Sequence, residues 1–468
     1  MAASSCRHVR LAQLNMYFLT LSWFCIQPHP ADSFSLPPKH SSSRSRSRFS
    51  TTTKLQAHPP SWNSLEKVFG DAYTASKPSC IDSVLQPEPP IMSSERPTLF
   101  RERHGWCPYS ERVWLTLETL GVSYDTIRID NTGGGRPSYY NGGQTPQMRW
   151  PDGTMQGESY DLVQALDERY GKNILQCHKS ETNDMVNRFR SIFPRARPSS
   201  RAAFLFQYNG DPLGRTTFEE TLEQTNALLG QTEGSFFCGD SITGADIAWA
   251  PFLERYRYQL PCLHDKLEPD DPAMYPHLAN WYTAMETQVP AYACRVKGDA
   301  SSWRKVLTMA GFGNAGLPPD LQQNVQSRIT TELETAASIV QPDLWKDYRA
   351  SRSYVATTPA AEAAMIMTQN RDRILADARK QKQKLFSDHD EIDLDNSMRA
   401  LVALLVAPTT SQSDKGITTS CSYDLSGLGD QAEGVGKLAL FLDERMCVPR
   451  DMGAMSAACI KDVAYQLQ

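Results

Sequence analysis

The chain has 468 residues, 40% of them hydrophobic and 22% charged, with a formal net charge of −5. That length allows two or three domains with cores of their own, and the charge balance gives no reason to expect a nucleic-acid partner. Eleven cysteines are scattered with no close spacing, which suits reduced thiols and argues against a disulfide-rich secreted fold.

The charge is unevenly spread. Residues 1–58 carry seven Lys/Arg against Asp32 alone, leaving 41 basic and 52 acidic residues, a net −11, in the remainder. A basic, Ser-rich leader on an acidic body reads as a targeting segment. Arg7 and Arg10 precede the apolar run 11–26, as in a signal peptide. Gln13 and Asn15 make that run a poor membrane span, and it falls short of the ~20 apolar residues a span needs. Residues 31–54 then have transit-peptide composition, with Phe34 directly after the expected cleavage region. The pair resembles the bipartite presequence of proteins imported into complex plastids of algae. That resemblance implies a plastid, with the stroma as destination; a secretory signal followed by a linker is the alternative.

Residues 59–95 contain Pro and Ser with little periodicity and read as a linker. From Arg96 the pattern sharpens. Residues 97–100 form a short strand candidate, and Pro108 suits the first turn of a helix, where its missing N–H costs nothing. Val113, Leu117 and Leu120 share one face of that helix, and Gly121 ends it. Residues 123–130 alternate as a strand, 147–157 read as a hairpin turned by Pro151-Asp152-Gly153, and 159–171 as a helix capped by Ser159. This β-α-β-loop-β-β-α order is that of an α/β thioredoxin-like domain.

Beyond it the strand signals cease. Residues 218–230, 244–258 and 276–287 have helical periodicity, and helices also dominate 320–468, including the charged run 361–386 and the apolar run 398–407. Within 240–251, Thr243 is placed to cap a helix, with Asp246 at its third position returning a bond.

Cys107 stands immediately before Pro108. Unsatisfied N–H groups and the positive end of the helix dipole are expected to face its sulfur and lower its pKa, since the thiolate is the reactive form. Arg103, His104 and Arg112 are candidates to add positive charge. Three positions on, where a dithiol enzyme carries a second cysteine, stands Ser110, so this pair cannot close an intramolecular disulfide.

The run "WCPYSERV" resembles the active-site turn of glutaredoxins and of the cysteine-type glutathione transferases. The run "QTPQMRWPDGTMQGES" resembles the rest of their glutathione site. The resemblance implies that the bond before Pro146 is cis and that the backbone of Thr145 pairs with the cysteinyl part of glutathione. Many family members have Val in place of Thr145, a change that a backbone contact tolerates. It further implies that Glu158 and Ser159 hold the γ-glutamyl group. Ser159 and the N–H groups after it would receive the α-carboxylate, and Glu158 the ammonium. Residues 240–251 and 275–292 resemble the all-α C-terminal domain of the same family, so the likeness covers roughly 96–297. The helical extension that follows resembles the arrangement of the iota class in photosynthetic organisms.

The expected organisation is therefore a bipartite presequence (1–58), a linker (59–95), a thioredoxin-like glutathione-binding domain (96–173), an all-helical transferase domain (180–300) and a mainly helical extension (310–468). The run 311–316 satisfies G-x-G-x-x-G, but no strand precedes it and Pro318-Pro319 follow, so it reads as a linker and not as a dinucleotide site. His178 beside Cys177 is an isolated pair, and no metal is expected.

The implied activity is a glutathione-dependent thiol transferase or reductase with the single catalytic cysteine Cys107 and glutathione as co-substrate. Its chemistry would be deglutathionylation, dehydroascorbate reduction or removal of glutathione from small conjugates. Ordinary conjugation would need a Ser or Tyr hydroxyl acting on glutathione itself; Tyr109 and Ser110 are near, but Cys107 would tend to form a mixed disulfide. A non-catalytic glutathione-binding scaffold acting through its extension is one alternative, and a [2Fe–2S] carrier another. The expected partners are glutathione, an electrophilic or glutathionylated substrate and, as one option, a second copy of the chain in a homodimer. No nucleic acid is expected, nor a membrane for the mature form. The extension has apolar helix faces but no motif that carries chemistry, so a chain ending near Lys297 is expected to retain turnover if it stays soluble.

Overall fold

The computed structural model describes residues 58–131, 136–140, 143–176, 179–194, 205–207, 211–310, 341–381, 393–407 and 423–468, with the isolated positions 323 and 327. The leader through residue 57, the Cys177-His178 pair and the glycine run 311–316 lie outside these residues.

Residues 59–95 depart from the linker expectation. They carry helix α1 (Trp62–Val68), the single turn α2 (Asp71–Thr74) and strand β1 (Cys80–Asp82). Ser61 caps α1 by accepting from the Ser64 N–H at 3.3 Å. A seven-residue helix, a four-residue turn and a three-residue strand are each shorter than the run over which their own period shows, so the sequence pattern is silent there. α1 buries Leu65, and the adjoining Phe69 is buried with it against the far C-terminal helices.

β1 forms one edge of a five-stranded sheet with β2 (Thr98–Glu102), β3 (Asp125–Ile129), β4 (Gln147–Arg149) and β5 (Met155–Gln156), in the order β1-β3-β2-β4-β5. β1 and β2 run parallel to β3, with Ile81 and Phe100 both opposite Ile127. β4 is antiparallel to both β2 and β5. Every residue of β2 is buried, as expected for a central strand covered on both faces. Helix α3 (Pro108–Thr119) crosses from β2 to β3, and α4 (Ser159–Leu166) follows the β4–β5 hairpin.

The helical half contains α5 (Lys179–Ile192), α6 (Arg215–Leu229), α7 (Gly244–Leu263), α8 (Pro276–Gln288) and α9 (Ala300–Ala310). The start of α7 has the expected capping box: Thr243 Oγ1 accepts from the Ala245 N–H at 3.3 Å, and Asp246 Oδ2 accepts from the Thr243 N–H at 2.8 Å. The other oxygen of Asp246 accepts from Phe237 N and Trp281 Nε1, so one carboxylate ties α7 to α8. α7 is buried almost all round, and Leu99, Trp114 and Leu162 share one core with its Trp249 and Phe252. The thioredoxin-like and helical layers are thus fused by a common apolar interior.

The extension contains α10 (Pro342–Arg349), α11 (Pro359–Gln369), α12 (Arg371–Lys380), α13 (Leu394–Val406), α14 (Ala432–Arg445) and α15 (Ala454–Gln466). Helices α11 to α15 share a second core with Leu65 and Phe69, while α10 buries Leu344, Trp345 and Tyr348 in a smaller cluster with Ala293 and Cys294. The apolar faces noted in the sequence, such as Leu401 and Leu405 on α13 and Leu438 and Phe441 on α14, are buried in that second core. The charged run 361–386 is not one helix: the chain breaks at Asn370, which separates α11 from α12.

The extension also folds back onto α3. At the C-terminal end of α3, Arg352 Nη2 lies 3.2 Å from Glu118 Oε2 and donates to the Glu118 carbonyl, while Tyr348 OH lies 3.2 Å from Glu118 Oε2. At the N-terminal end, the loop between α14 and α15 reaches the turn before Cys107: Arg450 Nη1 lies 3.2 Å from His104 Nδ1, and Cys447 Sγ lies 3.7 Å from the His104 carbonyl. Gly453 comes so close to the Cys294 carbonyl that a Cβ would sit 1.8 Å from its oxygen, so glycine is required there.

Candidate functional site

Cys107 is the N-cap of α3, in extended conformation, with Pro108 as the first helical residue. Its side chain is 4% exposed, and Sγ lies 3.8 Å from the Thr145 carbonyl. The Thr145–Pro146 bond is cis. The loop before it is held from two sides. Asn131 Nδ2 donates to Thr145 Oγ1 at 2.8 Å, and Tyr140 OH donates to the Gln144 carbonyl at 2.7 Å.

The acidity of Cys107 runs against the sequence expectation. Burial pushes its thiol pKa up, and the Glu102 carboxylate pushes the same way. The Ser110 side chain and the N–H groups of Ser110 and Tyr109 oppose this without overcoming it. Those donors are the helix-start groups legible in the sequence; the desolvation that outweighs them comes from tertiary packing. The three cations expected to help are engaged elsewhere. Arg103 Nε pairs with Asp82 Oδ2 at 2.8 Å, His104 stacks on Trp106 at 4.4 Å and meets Arg450, and Arg112 turns toward α4 and α7.

The turn from 103 to 106 is shaped by residues the sequence pattern does not single out. Glu102 accepts from the His104 N–H at 2.9 Å and from the Trp106 N–H at 2.8 Å. Arg255 Nη2, from α7, donates to the Trp106 carbonyl at 3.0 Å, and its Nη1 lies 2.8 Å from Glu111 Oε2. The Arg255 guanidinium lies 4.0 Å over the Trp303 ring, whose Nε1 donates to Glu254 Oε1 at 2.5 Å. The charge of the buried Arg255 acts on both Glu111 and Glu254. Burial drives Glu111 up to about 8, with Arg255 pulling back and Glu254 adding to the rise. A Glu-Arg pair inside the apolar run of α7 was the available sign of such a network.

Glu158 and Ser159 meet at the start of α4. Glu158, not Ser159, is the N-cap; Ser159 is already helical, and its hydroxyl lies 3.5 Å from Arg112 Nη1. Glu158 is exposed, with φ 62° and ψ 109°, a conformation that side-chain-bearing residues rarely hold. Both residues line a cavity of about 470 Å³ together with Tyr109, Arg112, Phe189 and Arg190. Cys107 and Thr145 are adjacent to one another, Glu158 and Ser159 open onto the cavity, and Tyr109 places that cavity two residues along the chain from Cys107.

Family models of the N-terminal and C-terminal domains of glutathione S-transferase match residues 106–169 and 187–284. Glutathione S-transferase L3 of Arabidopsis thaliana is 30% identical over 217 residues, covering 44% of this chain and 87% of the relative. The chain belongs to the glutathione S-transferase family. Two further relatives from the same plant agree with this membership. Glutathione S-transferase L1 is 24% identical over 189 residues, covering 39% of this chain and 76% of the relative. Glutathione S-transferase L2, chloroplastic, is 27% identical over 197 residues, covering 40% of this chain and 62% of the relative. Neither transferase domain match reaches the extension, which begins beyond residue 284.

Proposed function

We propose that this glutathione S-transferase family member is a cysteine-type thiol transferase or reductase, most like the iota class, that works through Cys107 with glutathione as co-substrate. The observation that carries the reading is the position of the Cys107 sulfur, at the start of α3 and 3.8 Å from the carbonyl of Thr145, beside a cis bond to Pro146. An extended glutathione would pair its cysteinyl backbone with Thr145 at that point. Its γ-glutamyl end would meet Ser159 and the free N–H groups of α4, with its ammonium on Glu158. The strained backbone of Glu158 supports a binding role, since such strain concentrates at ligand sites.

The reaction takes place in two exchanges. The Cys107 thiolate attacks the glutathionyl sulfur of a mixed disulfide or conjugate; an S–S bond forms, and the substrate leaves with the electron pair and takes up a proton. A second glutathione thiolate then attacks the Cys107 mixed disulfide, which yields glutathione disulfide and restores the cysteine. Ser110 donates a hydrogen bond that favours the Cys107 anion and cannot compete for the mixed disulfide.

The likeness to a relative named as chloroplastic supports a plastid destination for the leader. Residues 96–173 and 180–300 would then act as the glutathione-binding and helical transferase domains, with 310–468 as an extension. No helix among the described residues is long and apolar enough to cross a membrane. The test is turnover of a glutathionylated peptide: Cys107→Ser should abolish it. Retained turnover in that variant overturns the mechanism, and glutathione binding without turnover in the wild type favours the scaffold alternative.

A further inference from the structure

The cavity between α3, α4 and α5 contains a buried guanidinium, one nitrogen of which has no acceptor among the described residues. Arg112 is 6% exposed, and its guanidinium lies 5.3 Å over the Tyr109 ring, 4.9 Å over Phe189 and 5.1 Å over Phe252. Nε donates to the Ala248 carbonyl at 2.9 Å, and Nη1 lies 3.5 Å from Ser159 Oγ. Nη2 is buried and has no hydrogen-bond acceptor among the described residues. A buried donor of a charged group is unfavourable unless something accepts from it, and ring contacts offset only part of that deficit. Burial pulls the guanidinium down to about 10, which leaves it charged at neutral pH.

The rest of the lining sorts by chemistry. Phe189, Phe193 and Val186 of the α5 side are buried and apolar, and Tyr109 faces Phe252 edge-on at 5.7 Å. Arg190 supplies a second, exposed guanidinium, and the carboxylates in the lining, Glu158 and Asp161, are both exposed at the α4 lip. The interior is therefore aromatic and cationic, and the acidic groups stand in water at its edge.

We infer that this cavity receives an anionic, ring-bearing second substrate, with its carboxylate on Arg112 Nη2 and Arg190 and its ring among Tyr109, Phe189 and Phe193. The inference rests on the glutathione reading, in which Tyr109 sets the cavity beside Cys107 and Glu158 and Ser159, at the α4 edge of the same cavity, hold the γ-glutamyl end. The same guanidinium could instead take the carboxylate of glutathione itself at Ser159, and the experiment separates the two.

The full chain is assayed with the S-phenacyl and S-(4-carboxyphenacyl) conjugates of glutathione. Attack by Cys107 on the conjugate sulfur forms the S–S bond and breaks the C–S bond, and the electron pair leaves on carbon as an enolate that water protonates. A second glutathione then releases the enzyme, so each turnover gives one ketone and one glutathione disulfide. The carboxylated conjugate should show a kcat/KM at least about tenfold above the neutral one, as a charge-assisted bond allows. Arg112→Gln and, separately, the surface change Arg190→Gln should bring that ratio toward one. Equal values for the two conjugates in the wild type overturn the inference and leave the functional reading standing. Loss of glutathione affinity in Arg112→Gln with the ratio intact also overturns it, and reassigns Arg112 to glutathione. If neither conjugate turns over, conjugate reduction drops out of the functional reading, turnover of the glutathionylated peptide decides the rest of it, and calorimetry with 4-acetylbenzoate decides the cavity. Binding that weakens in both arginine variants upholds the inference; no binding overturns it.

Discussion

Arg352→Met tests the joint between the extension and α3. Arg352 and Glu118 are each 7% exposed at the side chain, so their ion pair is buried. Removing one partner of a buried pair costs roughly 3–5 kcal/mol, because it leaves the other charge uncompensated. Here Glu118 keeps three donors: Tyr124 OH at 2.7 Å, Tyr348 OH at 3.2 Å and Trp114 Nε1 at 3.4 Å. These place the loss at the low end, near 3 kcal/mol. The lost bond from Arg352 Nη2 to the Glu118 carbonyl, 2.6 Å long, adds about 1 kcal/mol. Methionine retains most of the apolar stem, so cavity formation contributes little. The assay is equilibrium unfolding in urea, read by tryptophan fluorescence, with the midpoint converted through an unchanged slope. Arg352→Lys should recover part of the loss, and Glu118→Gln combined with Arg352→Met should cost less than the sum of the two changes. A loss below about 1 kcal/mol for Arg352→Met would refute the claim that this joint couples the extension to α3.

Because burial raises the Cys107 pKa, the carbamidomethylation rate with iodoacetamide should climb with pH through neutrality, and Ser110→Ala should move that profile further toward alkaline pH. A rate already saturated at pH 6 would contradict this. Glu111 holds its proton more tightly folded than unfolded, with its pKa raised from 4.5 to about 8, so its stabilising effect is present below the unfolded value and lost as pH rises through about 8. Glu111→Gln should therefore flatten the decline in urea midpoint between those pH values, and an unchanged slope would count against it. Glu158→Gly should weaken glutathione binding at least about tenfold by calorimetry, the loss expected for one charge-assisted bond. It should leave the urea midpoint no lower, since glycine accepts the positive φ without strain.

The elements that repeat a period were readable from the chain. The helix after Cys107, the β4–β5 hairpin and the capping box of α7 each depend on neighbours within a few residues, and each is present as expected. What depends on distant partners was not readable. The helix-start donors around Cys107 could be foreseen, but the burial that outweighs them could not. β1 was missed because a three-residue edge strand has no alternation to show. The extension was expected to supply no catalytic group, with turnover surviving in a chain ending near Lys297 if that chain stays soluble. The structure shows what such a chain would lose. Such a cut would uncover Ala293 and Cys294, remove the partners of Glu118, and strip the loop that meets His104.

The same grip on α3 has a consequence for the order in which the molecule can be completed. His104 and Arg450 are separated by 346 residues of chain, and Glu118 and Arg352 by 234. Contacts of such long range are the slowest to form, because the intervening chain must be brought together first. On a ribosome the turn before Cys107 would emerge long before Arg450 and wait for it to be synthesised. The thioredoxin-like domain is thus completed only after the extension has been made, and the turn at His104 gains its partner only once Arg450 is present.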